Sequence, residues 1–172
     1  MSQQDYKSAS IVYNGCGCLV LLIFIGMISA IFYSFVMDSR PHKARASEAK
    51  QYLNSMNRAQ QAYFAEKNAF ATSVEALGLG IKTVTPNFKY SVRATKKAAF
   101  HYGVSQEKDL KSYVGGVFVV PAKNFAPNAA QDEITTTSIL CEADSPGTIK
   151  PAEPIYENGK IACGKGTTQW PH

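Results

Sequence analysis

Charged residues are scarce in this sequence. They make up 18% of its 172 residues, against the roughly 25% usual for soluble globular proteins, while 45% of the residues are hydrophobic. This apolar content excludes a disordered chain. The absence of any internal period of roughly 20 to 50 residues excludes a repeat protein.

Residues that carry catalytic or metal chemistry are also few. The three His lie far apart, and the four Cys lack the paired spacing of a zinc site. The chain contains no Gly-x-Ser-x-Gly elbow, phosphate-binding glycine loop or His-Glu-x-x-His pair. The sequence therefore predicts neither an enzyme nor a cofactor.

Acidic residues are missing between Asp5 and Asp38, and within that gap residues 16–37 carry no formal charge. At about 1.5 Å per helical residue, this apolar run would extend about 33 Å, enough for a hydrocarbon core of about 30 Å. The alternatives are a buried core helix and a cleaved signal peptide, whose apolar region is usually only about 7 to 15 residues long. We predict an N-terminal tail at 1–15, a transmembrane helix at 16–37 and a globular domain at 38–172.

Small residues on one side of the predicted span could let a partner helix approach closely. This predicted helix-packing face consists of Gly26, Ser29, Ala30 and Ser34. The expected partners are therefore other membrane protein subunits, contacted through the transmembrane helix and the domain, together with the lipid bilayer.

Two features disagree about the orientation of the span. By the positive-inside rule, the cations that crowd its downstream flank would leave the domain in the cytoplasm; they are Arg40, Lys43, Arg45 and Lys50. Cys141 and Cys163, however, lie among predicted strands and turns, where a disulfide between them would require an oxidising compartment. Composition leaves both orientations open.

A second helix is predicted from about Lys43 to Lys67, because apolar residues recur there at intervals of three and four. Pro41 should kink or interrupt its connection to the span. A capping box of Thr72 and Glu75 predicts a short helical turn after it. The apolar stripe of the second helix consists of Ala49, Tyr52, Leu53, Met56, Ala59, Tyr63 and Phe64.

The remaining residues change to the period of two that is typical of strands. Such runs occur around residues 88–92, 100–102, 113–120 and 139–142, and Asn158-Gly159 favours a hairpin turn. The sheet needs a cover for one face, and the stripe of the second helix can provide it. The predicted fold class is α+β: a single transmembrane helix continuing into a long amphipathic helix packed on a 4–5-stranded antiparallel sheet.

Polar residues on the predicted strands and loops indicate no catalytic site. His101 alternates with apolar neighbours, so its side chain is expected to face solvent, and Asp109 and Asp132-Glu133 are interpreted as solvated loop charges. At most weak, salt-sensitive binding to nucleic acid is expected, so no specific nucleic-acid partner is predicted. The cations that could form a basic patch, near Tyr90 and Tyr102, are Lys82, Lys89, Arg93, Lys96, Lys97, Lys108 and Lys111.

The order of a membrane helix, an amphipathic helix, an antiparallel sheet and a C-terminal Cys pair resembles type IV pilins and the pseudopilins of type II secretion. The resemblance covers about residues 44 to 165 and implies a pilin-like fold, with the N-terminus cytoplasmic and the domain periplasmic or lumenal. The resemblance therefore supports a disulfide between Cys141 and Cys163. It also overrides the cytoplasmic location of the domain that the flanking charges indicate. The segments that resemble the cyanobacterial type IV pilin-like proteins of the G and H kind are SEAKQY (47–52), SMNRAQQAYF (55–64), FATS (70–73), LGLGIKT (77–83) and KSYVGGVF (111–118).

The N-terminus departs from this family. Prepilins carry a basic leader that ends in Gly and is cleaved, followed by an apolar start whose fifth residue is acidic. Counting five residues from Cys16 leads to Val20, and from Cys18 to Leu22, so the prepilin motif is degenerate. The missing acid matters because a carboxylate in lipid is costly unless it meets a partner, as it is thought to do in filament assembly.

Two functions remain open at this point. The first is a non-enzymatic, membrane-anchored, pilin-like structural or accessory protein of a pilus or secretion apparatus. The second is a single-pass subunit or assembly factor of another membrane complex, photosynthetic if the cyanobacterial resemblance holds. The pilin-like domain favours the first, and the missing acid favours the second.

Overall fold

The computed structural model describes residues 26–27 and 40–170. Residues 26–27 are helical and exposed, whereas the rest of the predicted span, including Ser29, Ala30 and Ser34 of its packing face, lies outside the described residues, as does the N-terminal tail. Within the two described ranges, no helix combines the length and apolar character needed to cross a bilayer. The transmembrane helix and its packing face stay predictions.

Helix α1 comprises Arg40–Lys67, close to the predicted bounds. Residues 28–39 lie outside the described ranges, so the interruption expected at Pro41 stays a prediction. The apolar stripe turns inward, but two polar side chains that the stripe did not include, Asn57 and Gln60, are buried with it. The buried members of the stripe are Ala49, Leu53, Met56 and Phe64, and the half-buried ones are Tyr52, Ala59 and Tyr63.

Between α1 and Trp170, the last described residue, the chain forms seven strands. They are β1 (Phe88–Ala94), β2 (Ala98–Ser105), β3 (Tyr113–Pro121), β4 (Ile134–Ala143), β5 (Ile155–Glu157), β6 (Lys160–Ala162) and β7 (Thr167–Gln169). Five of them form one antiparallel sheet, which agrees with the predicted four or five strands, and their order is β1-β2-β3-β4-β7. β5 and β6 form a separate hairpin whose turn is the predicted Asn158-Gly159, with positive φ at both residues.

Both faces of the five-stranded sheet are covered, although the sequence predicted a cover for only one. The chain between β4 and β7 returns across the face opposite α1, and we call its residues 150–163 the C-terminal cover. The residues packed against α1 include Phe88, Tyr90, Tyr113 and Leu140. The opposite face presents Phe100, Tyr102, Val114, Phe118 and Ile139, and the cover contributes Tyr156, Ile161 and Cys163.

Two local predictions are wrong. His101 does not face solvent but is completely buried, because β2 is a central strand with core on both faces. The predicted short turn is present as a 3-10 turn at Glu75–Leu77, but the capping box of Thr72 and Glu75 does not form, since Val74 is at the N-cap position. Ser73, one residue after Thr72, instead accepts a hydrogen bond from the backbone N–H of Ala76 at 3.2 Å.

Candidate interaction site

The C-terminal cover is fixed to the sheet by a disulfide. Cys163 of the cover is bonded to Cys141 of β4, and their Cα atoms lie 5.8 Å apart. Cys141 is completely buried beneath the cover. The bond that the family resemblance implied is therefore confirmed, and it closes a loop of the chain over the second apolar face of the sheet.

The other end of the cover is held by the carboxylate of Glu153. Arg93 of β1 donates a hydrogen bond to this carboxylate at 2.7 Å, the hydroxyl of Tyr102 donates another, and the Lys150 ammonium lies 3.7 Å from the centroid of the Tyr102 ring. The hydrogen bond from Arg93 holds the pKa of the Glu153 carboxyl below its usual range, and burial raises the pKa of Tyr102 to about 12. The anchor is therefore charge-assisted at neutral pH.

A polar seam crosses the apolar interface between α1 and the sheet. Asn57 donates from Nδ2 to the carbonyl of Ile139 at 3.1 Å, which leaves its Oδ1 to accept from Nδ1 of His101 at 2.9 Å. His101 therefore carries its proton on Nδ1, and its Nε2 has no hydrogen-bond partner among the described residues. The close approach requires Gly115, because a Cβ there would lie 2.5 Å from Oδ1 of Asn57.

Burial lowers the pKa of His101 to about 3, whereas imidazole in an unfolded chain titrates near about 6.5. Between these values the unfolded chain binds a proton that the folded state excludes, so stability is lost as the pH falls below about 6.5. We expect the free energy of unfolding to fall by up to about 1.4 kcal/mol per pH unit there. Urea unfolding of the full-length protein, followed by the fluorescence of its single tryptophan, Trp170, measures this.

The matched variant for this measurement is His101→Leu, which removes the titrating group and keeps the site filled. Measurements between about pH 7 and pH 5 are suitable because Glu142 and Glu153, whose carboxyl pKa values are lowered, stay ionised in that range. In the His101→Leu variant, the free energy of unfolding should depend much less on pH over this range. The same slope in both proteins would contradict a neutral, buried His101.

A second ionic cluster joins α1 to β7. Glu142 of β4 accepts a hydrogen bond from Lys111 at 2.9 Å and pairs with Lys50 of α1 at 3.5 Å, and the Lys50 ammonium lies 3.1 Å from the centroid of the Trp170 ring. Burial alone would raise the pKa of Glu142, but the hydrogen bond from Lys111 and the two positive charges outweigh it and lower that pKa. Trp170 therefore reports on contact between α1 and the end of the sheet.

Two of the cations considered as a basic patch, Arg93 and Lys111, lie apart. Arg93 is paired with Glu153 and Lys111 with Glu142, on opposite sides of the sheet, while Tyr90 is buried against α1 rather than near a phosphate-binding surface. Across residues 26–27 and 40–170, no group of three or more His, Cys, Asp or Glu could hold a metal ion.

An apolar groove of about 480 Å³ lies beside the cover. Phe118 and Val120 of β3 form part of its floor, and Tyr156 of the hairpin packs against Phe118, with ring centroids 6.2 Å apart. At its rim Ile134 is 54% exposed, and exposed apolar surface commonly marks protein contacts. Strand patterns could not have shown this groove, because it exists where the cover stops. Its lining residues are Lys97, Ala98, Phe118, Val119, Val120, Pro121, Ile134 and Tyr156.

One long helix on an antiparallel sheet, with a disulfide-closed segment over the second face, defines an α+β domain consistent with the pilin-like fold. The chain belongs to the family of type IV pilin-like G and H proteins, whose family model matches residues 46–164, more than half of the sequence. No curated protein and no solved structure matches the chain significantly. Membership indicates a structural protein related to pili or pseudopili, which is consistent with protein partners.

Proposed function

We propose that this protein is a membrane-anchored accessory protein of a pilus or secretion apparatus. The observation that carries the proposal is the family match over residues 46–164. The apolar run at 16–37 supports an anchor, and the disulfide between Cys141 and Cys163 supports a domain on the periplasmic or lumenal side, with the N-terminus in the cytoplasm.

An accessory role is proposed, rather than that of the main filament subunit, because no acidic residue occurs between Asp5 and Asp38. The same observation favours a second candidate, a single-pass subunit or assembly factor of another membrane complex, photosynthetic if the source is a cyanobacterium. Both candidates use the predicted face of Gly26, Ser29 and Ala30 within the bilayer for helix contacts. They differ only in the complex to which the protein belongs.

The groove beside the cover is the proposed contact site on the domain. Its occupant would be an apolar side chain of a neighbouring protein subunit, because Phe118, Val120 and Tyr156 offer apolar surface and Lys97 supplies a charge at the groove wall. Such a charge would favour a carboxylate next to the inserted side chain. The groove therefore fits a segment in which an apolar residue adjoins an acidic one.

Co-purification of the tagged full-length protein from detergent-solubilised native membranes tests both the complex to which the protein belongs and the groove as its contact site. Recovery of pilus or secretion components supports the first candidate, and recovery in a stoichiometric unrelated complex supports the second. Pro121→Glu should reduce the recovered partner about tenfold, because the new carboxylate replaces apolar lining with a charge and competes with the partner's carboxylate for Lys97. The control is Ile149→Glu at a residue that is 79% exposed and does not line the groove. Equal recovery with both variants would exclude the groove as the contact.

A further inference from the structure

The edge of the sheet at β1 is protected against pairing with other chains. Its outward backbone groups are used by the preceding segment, with Thr85 N–H donating to the Phe88 carbonyl at 2.9 Å and Tyr90 N–H donating to the Thr83 carbonyl at 2.7 Å. Beyond this point the strand carries Arg93, and charged side chains on an edge strand discourage the addition of another strand. This edge is therefore closed.

The outer edge of β4 is less protected, because one side-chain hydrogen bond, from Gln61 to the Thr136 carbonyl, is its cover along Ile134–Ser138 in the described part of the chain. β7 pairs only with Cys141–Ala143, and one further hydrogen bond runs from the Trp170 N–H to the Leu140 carbonyl at 2.9 Å. In the part of the chain that the structure describes, no strand pairs with Ile134–Ser138 on this side. The segment reads Ile-Thr-Thr-Thr-Ser and contains no charge, Pro or Gly. An uncharged, β-branched open edge is a template for another strand.

The backbone groups of β4 alternate between its two neighbours. Leu140 bonds outward to Trp170, whereas Ala143 bonds to Ser112 on the β3 side, so the even-numbered residues direct their N–H and carbonyl groups outward. One of these outward carbonyls, at Thr136, accepts a side-chain hydrogen bond from Gln61 at 3.2 Å. The residues of the open segment that direct backbone groups outward are Ile134, Thr136 and Ser138.

We propose that a second copy of this protein pairs with the segment Ile134–Ser138, antiparallel and across a two-fold axis. The segment is self-complementary when the axis passes beside Thr136. The outward backbone N–H and carbonyl groups of Ile134 then face those of Ser138 in the second copy, and those of Ser138 face Ile134 of the second copy. Longer overlap is prevented by β7, which already occupies the edge from Leu140 onward. The pairing therefore has one preferred register.

Electrostatics also favour a second copy as the occupant. Two identical edges place identical side chains close to one another, and like charges directly opposite destabilise paired strands. The open segment has no charged residue, so this penalty is absent. The half-exposed side chain of Ile134 would be covered in the dimer, and the two five-stranded sheets would become continuous. This inference is independent of which complex the protein joins.

Cross-linking of the full-length protein in its native membrane tests the register. In a background of Cys16→Ser and Cys18→Ser, which removes the two cysteines outside the disulfide, Thr136→Cys should form a covalent dimer with a short bismaleimide, because the two-fold axis places this residue opposite itself. Ser91→Cys is the matched control, since Ser91 is an exposed strand residue at the β1 edge. Equal cross-linking at both positions, or none at Thr136→Cys, would overturn the proposal.

A second change distinguishes a specific strand pair from chance collision. Ser138→Pro removes an N–H that points outward, so the ladder with β3 is preserved while the intermolecular ladder is not. Added to the Thr136→Cys protein, it should lower the dimer yield at least about tenfold, with unchanged Trp170 fluorescence as evidence of folding. Undiminished dimer would overturn the pairing. A Thr136→Cys product with a different protein alone would overturn the second copy as the occupant.

Discussion

Loss of the disulfide between Cys141 and Cys163 should lower the free energy of unfolding by about 3 kcal/mol, because the bond restricts a loop with a sequence separation of 22 residues in the unfolded chain. The Cys141→Ala and Cys163→Ala double variant suits the buried site at Cys141, since alanine introduces no polar group there. The measurement is urea unfolding of the full-length protein followed by Trp170 fluorescence.

The matched control replaces the other two cysteines, Cys16→Ala and Cys18→Ala, and should leave the unfolding midpoint of the domain unchanged. In the wild-type protein, a reducing agent should lower the unfolding midpoint as much as the Cys141→Ala and Cys163→Ala changes do. In the protein that carries those two changes, the reducing agent should have no effect. A midpoint that does not move would mean that the Glu153 anchor and the apolar contacts hold the cover without the disulfide.

Gly115→Ala should destabilise the protein by about 3 kcal/mol, because two costs act together. The new Cβ would lie 2.5 Å from Oδ1 of Asn57 and 3.1 Å from its Cγ, so the Asn57 side chain must move. That movement breaks the hydrogen bonds to His101 and to the Ile139 carbonyl inside the core. Urea unfolding at neutral pH measures the loss.

Gly103→Ala is the control, because it is also a glycine on a central strand but its nearest neighbour would be Cε1 of Tyr90 at 3.2 Å, which needs only a small shift. Its cost should be clearly smaller. In a double-mutant cycle, Asn57→Ala removes the obstructing atoms, so Gly115→Ala should cost much less in that background. Additive costs of the two changes would contradict the contact between Asn57 and Gly115.

Most elements of the fold could be predicted because they depend on local periodicity, whereas β7 and the first half of β4 were not predicted. Apolar side chains three and four residues apart, such as Ala49, Leu53 and Met56, produce one buried face on a helix whatever lies opposite. The hairpin at Asn158-Gly159 was equally local, since both residues tolerate the positive φ that its turn requires. The antiparallel sheet followed from alternation and short connections.

The buried polar seam could not be predicted in this way. His101 between Phe100 and Tyr102 looks like a solvent-facing residue whenever one face of a strand is assumed to be wet. That assumption failed because the C-terminal cover makes a second core, so alternation on β2 separates two buried faces. Asn57 lies on the helical face that packs against the sheet, and only the space above Gly115 on another strand explains how it fits.

The two candidate interaction surfaces, like the buried polar seam, could not be predicted from local sequence patterns. The groove beside Tyr156 exists because the cover ends there, and the open segment Ile134–Ser138 exists because β7 is shorter than β4. The residues of β4 do not reveal where the cover ends or how long β7 is. Both surfaces depend on which segments of the chain meet in space.

The sequence by itself determined the family, the amphipathic helix, the antiparallel strands and a cysteine pair that an oxidising compartment would join, because these depend on residue type and spacing along the chain. Only the tertiary structure decided that both sheet faces are buried, that His101 is neutral inside the core, and that one sheet edge is open. The reason is that burial and strand pairing are set by contacts between residues distant in sequence.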